Sequence, residues 1–155
     1  VHVWPYESLQ RRAEIRAQVV KEESRWPPKV LDLIETMEAE IFLPAPFMQP
    51  LPNQRLGNVY EMRTYLYRPG TMAEVLKRWA EAVPQRVQLS PLVACLYSEI
   101  GELNKFVHIW AYQDLEERDR IRAESLKLPQ WPPNTREFMV SQANKILLSA
   151  AFSPL

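Results

Sequence analysis

The run VHIWAY (residues 107–112) sets His108, Trp110 and Tyr112 on alternate positions, and NVYEMRTYLYR (residues 58–68) does the same for Glu61, Arg63 and Tyr65. Side chains of an extended chain alternate between two faces, so each run presents one face of ionisable and aromatic groups. If the two runs are neighbouring strands, the six side chains line a shared polar and aromatic cavity. Such a lining suits a small organic ligand, with flat walls and a few fixed polar groups. An imidazole of ordinary pKa, about 6.5, is suited to accept a proton near neutrality. Arg63 or Tyr112 beside it would steady a developing oxyanion. The competing expectation is a filled core in which Trp110 and Tyr65 occupy the space and Glu61 or His108 is satisfied by Arg63 or a hydroxyl.

A second constellation is Arg118 and Arg122, one helical turn apart and candidates for holding an anion. Like charges at that spacing are unfavourable by a few tenths of a kcal/mol, so each arginine needs a partner. Carboxylates such as Glu61 or Glu99 would serve, because a guanidinium fork fits a carboxylate. Other chemistries lack their residues. His2 and His108 are the only histidines, so no metal is expected and no cofactor is implied, although one histidine would suffice as a haem axial ligand. Cys95 is the sole cysteine and lies in the apolar run LVACL, which reads as a buried thiol. With only Gly57, Gly70 and Gly101 there is no phosphate-cradling loop, and no Gly-x-Ser-x-Gly elbow occurs. Nineteen basic residues balance nineteen acidic ones, so no nucleic acid is expected. No apolar stretch approaches the roughly 20 residues of a membrane span.

The elements that position these residues follow from a repeat. VHVWPY at residues 1–6 matches VHIWAY at an offset of 106, and Arg12 and Arg16 match Arg118 and Arg122. At an offset of 105, Trp26-Pro27-Pro28 matches Trp131-Pro132-Pro133, and Ile41, Leu43, Ala45 and Phe47 match Ile146, Leu148, Ala150 and Phe152. A period that long means a duplicated domain. Residues 1–50 are the C-terminal half of a first copy, 51–56 a linker rich in turn residues, and 57–155 a complete second copy. The chain thus looks like the latter part of a longer two-copy polypeptide.

In the complete copy, residues 58–68 read as a strand. Thr71 with Glu74 offers a capping box for a helix whose apolar stripe is Met72, Val75, Leu76, Trp79 and Val83. Leu92 to Ile100 and Lys105 to Tyr112 read as strands joined by a turn at Gly101 to Asn104. Asp114 with Glu117 caps a second helix running to about Leu128. A kink is expected at Trp131-Pro132-Pro133, with Trp131 as a structural peg, then a helical piece to about Ala143 and a fourth strand from Lys145 to Phe152. The order is β-α-β-β-α-β, an α+β, ferredoxin-like unit with both helices on one sheet face. Val107, Ile109 and Ala111 are expected to face the helices, and His108, Trp110 and Tyr112 to face away from them.

The segments VYEMRTYLYRPGTM, YSEIGELNKFVHIWAYQDLEERDRIR and SAAFSPL resemble the NIPSNAP domain family. The resemblance covers residues 57–155 and explains 1–50 as the tail of a first such domain. It implies a dimeric α/β barrel, in a superfamily that includes cofactor-independent oxygenases. It also implies a homodimer that binds a small ligand or a protein partner. The alternative it leaves is a monooxygenase-like enzyme acting on an aromatic or polyketide-like substrate. A cytoplasmic location is implied, or a mitochondrial one in a eukaryotic source. Because the first copy lacks its β-α-β start, an intrachain barrel is not expected to close from this chain alone.

Overall fold

In the computed structural model residues 1–21 and 30–155 are described, and they form two compact units, Val1–Glu38 and Ala39–Leu155. The Trp26-Pro27-Pro28 expectation falls outside the described residues. The first unit contains helix α1 (Leu9–Lys21), started by Ser8, whose Oγ accepts the Arg11 N–H at 3.0 Å. No α1 residue is buried; Arg12 is half-buried and Arg16 exposed.

The second unit contains β1 (Ile41–Pro44), β2 (Val59–Tyr67), α2 (Met72–Arg86), β3 (Leu92–Ile100), β4 (Lys105–Tyr112), α3 (Leu115–Ser125) and β5 (Met139–Leu147). The five strands form one antiparallel sheet in the order β1-β3-β4-β2-β5. From β2 onward this is the expected β-α-β-β-α-β unit. β3 and β4 occupy the ranges their alternation predicted, and their hairpin turns through Gly101 at φ +110° and Asn104 at φ +63°. β1, which the repeat equates with residues near Ile146, adds as a fifth strand beside β3.

Two expectations about elements fail. The segment after Pro133 is not helical: a single 3₁₀ turn at Arg136–Phe138 leads straight into β5, which spans Met139–Leu147 rather than Lys145 to Phe152. The nine-residue β2 has β4 on one side, and β5 pairs along its other side from Tyr67↔Met139 to Tyr60↔Leu147. Backbone groups on that edge are satisfied by a ladder, which outweighs the helix preference of Gln142 and Ala143. Consequently Trp131 is no peg under a helix kink. It follows the turns after α3, precedes a cis peptide bond to Pro132, and packs edge-on against Trp79 and Trp110.

The assignment of sheet faces is also reversed. Val75, Trp79 and Val83 of α2 and Ile121 of α3 pack with Phe106, Trp110 and Tyr112, so the helices cover the His108 face. Val107, Ile109 and Ala111 join Tyr60, Val93 and Ala94 on the opposite face, where Met48, Leu51, Leu56 and Leu155 pack against them. The α2 stripe, centred on the bulky Trp79, needs facing side chains of matching depth, and the flatter aliphatic face is closed by the linker and the C-terminal residues. The linker is fixed at Gly57, where a Cβ would lie 2.4 Å from the Tyr112 carbonyl oxygen, and at Asn58, whose N–H donates to that oxygen at 2.9 Å.

Candidate functional site

Between the sheet and the helices lies a cavity of about 450 Å³, lined in part by Glu61, Arg63, Tyr65, His108, Trp110 and Tyr112. Alternation and cross-strand register bring the six together: Glu61 stands opposite Trp110, and Arg63 opposite His108. The exposed Arg136 and Gln142 are also in the lining, so the cavity opens to solvent.

Glu61 is fully buried and anchors the arginines. Arg118 Nη2 donates to its Oε1 at 2.6 Å, while Arg63 and Arg122 each stand 3.5 Å from the carboxylate. Helix α3 makes this geometry. Its N-terminus is set by Asp114 Oδ1, which accepts the Glu117 N–H at 2.7 Å, and by Glu117 Oε2, which accepts the Gln113 N–H at 2.6 Å. Arg118, Ile121, Arg122 and Ser125 then recur at helical spacing, and Ile121 and Ser125 are buried. The carboxylate partner that the paired arginines require is therefore Glu61. Arg122 lines the cavity, whereas Arg118 lies behind the carboxylate. The hydrogen bond it donates to Glu61 raises the Arg118 pKa above its ordinary value. Thr71, by contrast, makes no side-chain cap for α2: its hydroxyl donates to the Arg68 carbonyl, and Glu74 pairs instead with Arg78.

His108 is buried against Trp79, with ring centroids 4.6 Å apart, and its Nδ1 accepts the Trp110 indole N–H at 2.7 Å. An indole nitrogen only donates, so the neutral imidazole carries its proton on Nε2. Protonating Nδ1 would break the bond to Trp110. Burial, and then the charges of Arg63, Arg86 and Arg122, hold the ring's pKa well below its usual value. Nε2 has no hydrogen-bond partner among the described residues. His108 therefore offers the cavity an N–H donor, the opposite of the proton acceptor its residue type suggests.

Tyr65 accepts the Arg63 Nε–H at 3.0 Å, and burial raises its phenol pKa. Tyr112 is also raised by burial and accepts from Arg86 Nη2 at 3.1 Å. Just outside the lining, Tyr67 shares a 2.8 Å hydrogen bond with Thr135, and burial pushes its phenol up to about 12. Cys95 is a buried free thiol raised by burial alone, hence inert. Among the described residues no three His, Cys, Asp or Glu side chains cluster as a metal site.

Arg86 was not singled out by residue type or motif, yet it is central. Val75, Trp79, Ala82, Val83 and Arg86 form the buried stripe of α2, so extending the apolar spacing by one turn leads to it. It is 2% exposed, its Nη1 donates to Ser90 Oγ at 2.9 Å, and its guanidinium lies 4.1 Å from the centre of the Trp110 ring. Burial lowers its pKa.

The sequence profile of the NIPSNAP family matches residues 1–49 and 60–154. The chain is 31% identical over 163 aligned positions to NipSnap homolog 2 of Homo sapiens, covering 100% of this chain and 56% of that protein. It is 36% identical over 113 positions to a NipSnap homolog of Dictyostelium discoideum, covering 70% of this chain and 50% of that one. The chain thus spans about half the length of these curated relatives. Among solved structures it is similar to a NIPSNAP family protein of unknown function from Agrobacterium tumefaciens, with TM-score 0.59, 36% identity, and coverage of 66% of this chain and 96% of that chain. No helix of the described residues is long and apolar enough to cross a membrane.

Proposed function

This chain belongs to the NIPSNAP family, and from that premise we propose that it is a small-molecule-binding protein holding its ligand between the sheet and the two helices. The supporting observation is the open cavity of about 450 Å³ beside Trp110 and Tyr65. A packed core at ordinary density leaves few voids larger than a water molecule. The volume falls within the range of small-molecule sites, roughly 300–1,000 Å³. The chain pairs with a second copy: β5 is an edge strand, and Val140 and Ile146 on it are 59% and 46% exposed. An exposed edge carrying apolar side chains is a template for pairing. The cytoplasm, or the mitochondrion in a eukaryotic source, is the setting this reading carries with it.

Native mass spectrometry of the purified chain, compared with its denatured mass, tests both parts. The expected result is a dimer carrying an extra small-molecule mass that denaturation releases. A monomer would overturn the pairing. A bare chain that also takes up none of a varied set of small molecules offered in excess would overturn ligand binding.

A further inference from the structure

Among the described residues Arg86 is a buried cation without an ion-pair partner. Its two terminal nitrogens donate to neutral hydroxyls, those of Ser90 and Tyr112, and its Nε has no hydrogen-bond partner among those residues. Glu61, the one carboxylate in the cavity lining, is already shared among Arg118, Arg63 and Arg122. A buried charge is costly unless it is paired. His108 Nε2 is a second buried donor without a partner among the described residues. Trp110 joins the two, carrying Arg86 on its face and donating to His108 Nδ1.

The whole lining has the same bias. Arg63, Arg86, Arg122 and Arg136 face one carboxylate, an excess of three positive charges. The other walls are flat: the Trp131 ring meets those of Trp79 and Trp110 edge-on at 5.4 and 5.7 Å. A cation would be repelled, and a neutral molecule would leave Arg86 unbalanced. A bare inorganic ion would answer the charge and leave the indole walls without contact.

We propose that the cavity takes an aromatic carboxylate, its charge drawn to Arg86 and the His108 Nε2–H and its ring lying among the tryptophans. The assignment rests on the ligand-binding reading above and specifies its ligand class. Charge-assisted hydrogen bonds are the stronger kind, and stacking on indole adds specificity for flat molecules.

Two probes of equal shape, 2-naphthoate and 2-naphthamide, separate charge from size when the full chain is titrated and tryptophan fluorescence followed. The acid should bind at least about tenfold more tightly than the amide. His108→Phe should weaken the acid by roughly ten- to a hundredfold, whereas His108→Gln, which keeps an N–H donor, should stay within a few-fold of the wild type. Arg86→Met should abolish the preference of acid over amide, and it serves equally if His108→Phe does not fold. Equal binding of acid and amide, or a preference that survives Arg86→Met, overturns the carboxylate assignment and leaves ligand binding standing. So does rejection of both probes by a chain that takes up other small molecules. Uptake of no molecule at all overturns both, and displacement of the acid by equimolar phosphate points to an inorganic anion instead.

Discussion

At the residue scale, two buried groups carry opposite electrostatic roles. Glu61 is the fixed negative charge that organises three arginines. Glu61→Gln keeps its shape and removes that charge, and it should cost about 3 kcal/mol of stability, the lower end for breaking a buried ion pair. Urea unfolding measures this, and a loss below about 1 kcal/mol would mean that the arginines find water instead. His108 is held neutral, with its pKa well below the ordinary value of about 6.5. The unfolded chain therefore binds more protons than the folded chain between those two pKa values, and stability rises with pH there. The contribution is complete above about pH 6.5 and is lost as pH falls toward the folded pKa. Urea midpoints from pH 7.5 down to pH 5 should fall less steeply in His108→Phe than in the wild type; parallel profiles would contradict the buried, neutral ring. Alternation put His108 on one face with Glu61, Arg63 and Tyr65 but assigned that face to the side away from the helices. Its tautomer was not legible, because the Trp110 N–H that fixes it is two residues away on the same strand and either ring nitrogen could have met it.

At the element scale, what was legible was what local periodicity decides. β3, β4 and the start of α2 emerge from alternation, turn residues and an apolar stripe. β5 did not, because Met139–Leu147 has little strand character of its own and is ordered by the free edge of β2. The face of β4 that meets the helices was equally hidden: seven of its eight residues are buried, so both faces look like core. Arg86 is hidden in the sequence because its charge interrupts the apolar spacing of α2 one turn before the buried stripe ends. Gly57 illustrates a requirement that composition cannot reveal. Its glycine is needed for close approach to the Tyr112 carbonyl oxygen. Gly57→Ala should therefore destabilise the fold by about 1–3 kcal/mol through overpacking, measured by thermal unfolding. An unchanged melting temperature would show that the linker can shift away from β4.

At the scale of the whole molecule, β1 joins the sheet from outside the β-α-β-β-α-β unit. β1, matched by the repeat to residues near Ile146, is packed in the unit Ala39–Leu155 as the fifth strand. β1 and the residues after it should therefore be integral to that unit. Removing residues 1–49 should lower the stability of the remainder measurably in urea, because it strips β1 from β3 and Met48 from the aliphatic face. The loss should exceed that caused by removing residues 1–38 alone, because only the longer truncation takes away β1. Equal effects of the two truncations would contradict the packing of β1.

The proposed function requires the space between the sheet and helices α2 and α3 to be a ligand site. The most direct measurement is a crystal structure of the chain soaked with 6-bromo-2-naphthoate, using the anomalous signal of bromine to locate the molecule. The expected result is a single strong peak among Trp79, Trp110 and Trp131, with the carboxylate toward Arg86 and His108. A peak only on the outer surface, or an empty cavity at saturating ligand, would contradict it.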